Sequence, residues 1–309
     1  MTIKWGSASV FHLRNPLSIE HIDGLPKWKP PGKGKTSAGL VPIFKDEHAV
    51  PVNNSGGWFR LRFSGPKIST SEKTYRIDTR LAKAQKKGTV LTKDEIATIK
   101  DEEIEKLKKE TPPTHMDVDV MYRDEWFLVC AGAASRCDLV TDFMLDKYPG
   151  LNFAVKTPEI EGDLTGLGLE LFGAEGLEVD NVALGSGVKI KMQDDSVVEV
   201  SDSEYPKKLI STLKAAKEVM TMCVEWDRFG GKIRRDLSFT GIFDGFDPTE
   251  IEGEYDDPGE RKFIEAKQRA EDFVTNIPLM LKDIAVHCGG LVPLEDTEDN
   301  VLPFERDAQ

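Results

Sequence analysis

The residues best suited by type to do chemistry in this chain are paired acids, a glycine–lysine loop and scattered lysines. Asp256-Asp257 stand upstream of Glu265-Ala266-Lys267, the order in which metal-dependent nucleases use carboxylates to hold Mg2+ and a lysine to orient water. That chemistry wants its Glu-x-Lys on a strand, whereas Glu265 and Lys267 fall in a helical pattern, where charged pairs commonly form a solvated face. Gly34-Lys35-Thr36 copies the end of a phosphate-binding loop. The first glycine of that motif would fall on Lys29, Pro30 and Pro31 interrupt it, and AGLVPIF afterwards is no helix, so no nucleotide site is expected. The five histidines form no Ser-His-Asp or Cys-His arrangement, and His12, His115 and His287 read as structural. Cys130, Cys137, Cys223 and Cys288 lie in or beside apolar runs without a CxxC pair, as in a reduced cytoplasmic protein.

Binding is therefore weighed against catalysis. The net charge of −13 argues against a simple nucleic-acid coat, but the distribution is uneven. Lys67 to Lys93 holds eight basic residues against two acidic ones, while from Asp247 onward acids outnumber bases nearly three to one. Such asymmetry allows one positive surface on an acidic body. At 309 residues and 39% hydrophobic, the chain can bury cores in two or three modules. No run approaches the roughly eighteen apolar residues that suggest a membrane span, and MTIKWGSASVFHL lacks a signal-peptide layout, so no membrane partner is expected.

The elements that would position these residues are read in order. Lys4 to Arg14 is a strand, and residues 23 to 37 are a Pro-, Gly- and Lys-rich loop. In GGWFRLRF, Phe59, Leu61 and Phe63 alternate with Arg60 and Arg62, giving a strand with one basic face. A helix over Tyr75 to Lys87 turns Leu81 and Ala84 inward and Arg76, Arg80, Lys83 and Lys87 outward. Thr92-Lys93-Asp94-Glu95 caps a second helix running from Lys93 to Lys109. Met116 to Tyr122 and Glu125 to Ala131 form a hairpin through Arg123-Asp124, and a helix follows over Arg136 to Lys147. Residues 151 to 206 read as a small protruding β-rich module, with Lys189, Lys191 and Gln193 on one strand face and Val188, Ile190 and Met192 on the other.

Lys207 to Gly245 is the stretch around which the remainder is expected to be arranged. Leu209, Ile210, Leu213, Ala216 and Met220 recur at helical steps, then Met222, Val224 and Trp226 share a strand face. Arg228-Phe229-Gly230-Gly231-Lys232 reads as a turn, followed by a strand from Ile233 to Phe243. After an acidic loop, a helix over Arg261 to His287 is interrupted near Pro278 and closed by Gly289-Gly290, and the tail from Glu295 frays.

AKEVMTMCVEWD, its turn and its second strand resemble the C-terminal half of the recombination-associated protein RdgC family. Ala270 to Val274 and LMLKDIAVHCGG resemble that family's closing helix. Gly39-Leu40-Val41-Pro42 and KGTVLTKDEIATIKDEEIEKLKKETPP are similar to its N-terminal region. One departure is Thr111 to His115, where the family carries an aromatic and an arginine. The resemblance implies an α+β fold of antiparallel sheets with flanking helices, arranged as a horseshoe-like protomer within a ring-shaped homodimer. The modules would be 1–150 (with a charged helical segment at 73–110), 151–206 and 207–309. It further implies a non-catalytic, cofactor-free, nucleoid-associated protein that holds double- and single-stranded DNA without sequence preference and competes with the recombinase filament. Lys191 and Gln193 would match a Lys-Gln pair of the family's finger, and Lys217, nine residues before Trp226, matches its lysine. The expected DNA contacts are Lys83, Lys86, Lys87, Lys93, Lys189, Lys191, Gln193 and Lys217. The alternative is a Mg2+-dependent exonuclease built on Asp256-Asp257, Glu265 and Lys267.

Overall fold

The structure, a computed structural model, describes residues 5–13, 16–53, 55–86, 91–148, 155–156, 158–173, 178–201, 209–227, 229–244, 246 and 257–292. The elements in chain order are β1 (Ser7–Leu13), α1 (Ile19–Asp23), β2 (Ser37–Val41), β3 (Ala49–Val52), β4 (Gly56–Pro66), α2 (Thr70–Lys86) and α3 (Lys93–Glu110). They continue with β5 (Pro113–Arg123), β6 (Trp126–Val129), α4 (Ala134–Lys147), β7 (Val155–Lys156), α5 (Leu164–Gly173), β8 (Glu178–Val179), β9 (Val182–Met192) and β10 (Val197–Ser201). Last come α6 (Leu209–Lys214), β11 (Ala216–Trp226), β12 (Phe229–Arg234), β13 (Phe239–Asp244) and α7 (Pro258–Val286). The fold is α+β with a large antiparallel sheet, as expected. The chain gathers into two compact units. The larger holds Met1–Gly24, Pro42–Phe59 and Val118–Gln309, and the smaller holds Leu25–Val41 and Arg60–Asp117.

In the larger unit the strands run β10-β9-β11-β12-β13-β1-β6-β5. Helix α7 covers them with Ala266, Ala270, Phe273, Val274, Ile277, Met280, Leu281 and Ile284, a stripe at three- and four-residue steps. Each large side chain in that stripe contributes about 1.5–3 kcal/mol over its exposed state. Asp257 caps the helix through Gly259 N–H at 2.7 Å, and Pro258 takes the first position, where a missing N–H costs nothing. The helix passes through buried Pro278 without the expected interruption, because packing against the sheet holds both of its halves. Gly289 and Gly290, at φ +95° and +108°, close it as the glycine pair suggested.

Three expectations around β11 need correction. The helical pattern ends with α6 at Lys214, and the strand begins at Ala216 rather than near Met220. Irregularities in the β9 pairing at Ala216/Glu218 and Val219/Thr221 each put an extra residue into β11, and at Met222/Val224 the surplus lies in β9, so buried Val219 and Met222 stand three apart on a strand. That spacing imitates a helix. The turn lies one step earlier than read, since Trp226 pairs with Phe229 and Asp227 has φ +48°, while Gly230 and Gly231 lie inside β12. A Cβ on Gly230 would meet the Phe243 ring at 2.2 Å, so glycine there serves close packing rather than a turn. The strand expected from Ile233 to Phe243 is broken by a turn in which Asp236 accepts from Ser238 N–H and Oγ at 3.1 and 2.6 Å, with Leu237 at φ +55°. Residues 182–192, read as part of a protruding module, pair along β11 in the same sheet.

One polar contact anchors the larger unit's core. Asp119 of β5 accepts the indole N–H of Trp58 (β4) and of Trp5, each at 3.1 Å. The two indoles meet edge to face with centroids 5.5 Å apart, and Trp5 also packs on Phe273 of α7 at 5.6 Å. Trp58 is fully buried and Trp5 nearly so. Asp119→Ala would leave both donors without this acceptor, at about 1–3 kcal/mol each. Urea unfolding should therefore show a loss of about 2–5 kcal/mol, and a change below about 0.5 kcal/mol, the size of an ordinary surface substitution, would contradict this role.

Candidate nucleic-acid interface

The two units carry opposite charge. Leu25–Val41 and Arg60–Asp117 hold 18 Lys and Arg against 10 Asp and Glu, a balance of +8, which leaves 23 against 44, or −21, for the rest of a chain totalling −13. Local fields act over about a Debye length, roughly 8–10 Å at moderate salt, so a polyanion meets the nearby charge rather than the sum.

Local structure sharpens that balance. The capping box at α3 forms as expected, with Thr92 accepting from Glu95 N–H at 3.3 Å and Glu95 accepting from Thr92 N–H at 2.8 Å. Ile77, Leu81 and Ala84 of α2 are half-buried, and none of its residues is fully buried. From the same helix, Arg76 pairs with Glu110 at 2.7 Å, and Arg80 pairs with Glu102 and, at 2.7 Å, with Glu103 of α3. Lys106 also reaches Glu103 at 3.2 Å, and Lys108 reaches Glu105 at 2.6 Å. The hydrogen bond from Lys106, with that from Arg80, holds the Glu103 carboxyl below its ordinary value. Arg76 and Arg80 thus meet Glu102, Glu103 and Glu110 of α3. Lys83, Lys86 and Lys93 remain exposed and make no ion pair among the described residues. Lys87 lies outside the described residues.

A second basic segment was missed in the sequence. Residues 25–41 carry Lys27, Lys29, Lys33 and Lys35 with no acid, a signal obscured by testing the segment only as a phosphate loop. Strand β2, not a helix, follows it, in line with the rejection of that motif. The segment is a fixed one. Trp28 N–H donates to Leu40 O at 2.8 Å, Leu40 N–H donates to Pro26 O at 2.9 Å, and the Trp28 indole donates to Ser64 Oγ at 2.8 Å. Arg62 lies over the Trp28 ring at 5.2 Å while forking onto Asp117 at 2.6 and 2.7 Å. That fork comes from the basic face of β4, where Phe59 and Leu61 are buried and Arg60 and Arg62 half-exposed, as the alternation predicted, while beyond them Phe63 is half-buried and Ser64 is buried.

The other expected contacts belong to the larger unit. Register places Lys189 opposite Thr221 and Lys191 opposite Glu218, so Lys189, Lys191, Gln193 and Lys217 gather near one end of the β9–β11 pair. Two of these lysines already have acids. Lys217 binds Asp195 at 2.9 Å, and Lys191 reaches Asp195 at 3.1 Å and Glu218 at 3.9 Å. Arg235 binds Glu218 at 2.7 Å, and Gln193 donates to Ala216 O at 3.1 Å. The hydrogen bond that Lys217 donates to Asp195 raises the Lys217 pKa, and the two lysines lower that of Asp195.

Elsewhere, Glu265 and Lys267 lie on α7, where Glu265 pairs with Arg261 at 3.3 Å, and Asp256 is outside the described residues. Among the described residues, no group of three or more His, Cys, Asp or Glu is arranged to hold a metal ion. His12 packs on Trp126 at 4.0 Å, His115 meets Ser64 Oγ at 2.8 Å, and His287 meets Glu170 at 2.6 Å, all consistent with structural roles. No helix among the described residues is long and apolar enough to cross a membrane. Neither a scan of protein-family models nor a search of curated proteins finds a match for the chain.

An amine reacts as the neutral base, so the raised pKa of Lys217 should slow its acylation. Mass-spectrometric acylation rates of Lys217 in wild type and in Asp195→Asn read this effect. Asp195→Asn, which removes the carboxylate that Lys217 donates to, is expected to speed the acylation of Lys217. Rates that Asp195→Asn leaves unchanged would contradict the pairing.

Proposed function

We propose that the chain is a non-catalytic, sequence-nonspecific DNA-binding protein that takes the phosphate backbone on its smaller unit. The observation that carries this is the +8 balance of residues 25–41 and 60–117 within a chain of −13, together with exposed Lys83, Lys86 and Lys93, which make no ion pair among the described residues. Lysine is a flexible point charge that reads phosphate without fixing register, so it gives affinity with little discrimination between bases. The acidic remainder repels a second polyanion and keeps contact on one surface.

The finer reading follows the RdgC resemblance of residues 216–244 and 270–290. In it, a cytoplasmic, nucleoid-associated homodimer encircles single- or double-stranded DNA. It requires no cofactor, and it restrains recombinase-driven strand exchange by occupying the strand on which the filament would grow. Lys189, Lys191, Gln193 and Lys217 join the contact only if DNA phosphates displace Asp195 and Glu218, which makes the smaller unit the primary surface.

If about four phosphates are neutralised, affinity for duplexes of unrelated sequence should fall about 100-fold between 50 and 200 mM salt and agree within about twofold at each salt concentration. Fluorescence anisotropy reads both quantities. A salt-independent affinity, or strong preference for one sequence, would contradict the proposal. Mg2+-dependent digestion lost on Glu265→Ala would favour the exonuclease instead.

A further inference from the structure

Tyr75 is the most solvent-exposed large hydrophobic residue among those described, at 71%. It stands on α2, the helix whose inner side presents Arg76 and Arg80 to the acids of α3. At 100° per residue, Tyr75, Ala82 and Lys86 share the opposite side, Lys83 lies about 80° round from Tyr75 towards Arg76, and all four are exposed. The ring has no aromatic, cation or hydrogen-bond partner among the described residues, although its backbone carbonyl accepts from Thr79 Oγ1 at 2.7 Å. A bare ring gains nothing for the fold in such a position, and its one polar atom already faces water.

From these observations we infer that Tyr75 is a stacking platform for an unpaired base, making the outward side of α2 a site selective for single-stranded over duplex nucleic acid. The inference rests on the proposed DNA-binding reading and adds to it the strand preference and the residue that sets it. Lys83 and Lys86 stand eight and eleven residues along from Tyr75, about 12 and 16 Å of helix axis. A strand whose base lies on the ring therefore carries its phosphates towards the lysine end. The charges beside Tyr75 agree with that polarity. Glu72 and Asp78, both exposed on α2, flank the ring and disfavour a phosphate there, but they leave an uncharged base face unopposed. Duplex DNA keeps its bases stacked inside and offers this ring nothing. Base–aromatic stacking is tolerant of sequence, so strand preference and sequence indifference are compatible.

The test compares full-length wild type with Tyr75→Ala, Tyr75→Phe and Val286→Ala, the last removing a comparably exposed apolar group from the larger unit (68%). Each is titrated into a labelled thymidine oligonucleotide and a duplex of equal length across a salt series. Tyr75→Ala is expected to weaken single-strand binding by about 5- to 100-fold, with duplex affinity and both salt slopes unchanged. Tyr75→Phe and Val286→Ala should match wild type on both probes. Equal losses on the two probes, or no loss with Tyr75→Ala while wild type binds both, would overturn the stacking role and leave the DNA-binding reading standing. A wild type that binds neither probe would overturn both.

Discussion

The structure depends on a single carboxylate held between two indoles. Asp119 accepts from Trp5 and Trp58, tying the lead into β1, the strand β4 and the strand β5 to one point, and Trp5 rests in turn on Phe273 of α7. Trp58 and Asp119 lie at the places where the chain leaves the larger unit, between Phe59 and Arg60, and re-enters it, between Asp117 and Val118. Every residue of the basic excursion from Arg60 to Asp117 is strung between those two anchors. A partly buried charge with two converging donors also gives direction that apolar packing lacks, because the carboxylate accepts only where its lone pairs point.

Division of labour between the two cationic residue types follows. In the smaller unit, Arg62, Arg76 and Arg80 all spend their planar forks on carboxylates. The lysines, compact charges on long stems, are mostly left exposed. Surface pairs of this kind contribute little to stability, on the order of 1 kcal/mol or less, but they cancel acids that would otherwise oppose a phosphate. The balance of the unit stays at +8, with Lys83, Lys86 and Lys93 among its exposed, unpaired carriers within the described residues. The cluster at Lys191, Asp195, Lys217, Glu218 and Arg235 does the reverse, with opposite charges meeting and little field remaining.

Much of this was legible in the chain. The alternation of β4, the box at Thr92 and Glu95, the hairpin at Arg123 and Trp126 and the stripe of α7 are local signals with one dominant physical cause. The misreadings came where two causes give one pattern. Irregular pairing along β11 spaces its buried residues like a helix, and Gly230 makes room for Phe243 rather than turning the chain. Charge segregation was legible only in part, at Lys67 to Lys93, for a different reason. The basic unit is assembled from 25–41 and 60–117, with Asp46 and Glu47 in the intervening segment belonging to the other unit. A window sliding along the chain averages across that division, and only the tertiary fold separates the two.

The measurement that bears most directly on the central claim is zero-length photocrosslinking of the intact chain to an oligonucleotide, with the attached peptides mapped by mass spectrometry. Crosslinks concentrated in residues 25–41 and 67–110, and suppressed by salt in step with binding, are expected. Crosslinks that fall mainly within 118–292, or that are indifferent to salt, would show that the basic unit is not where the polyanion lands.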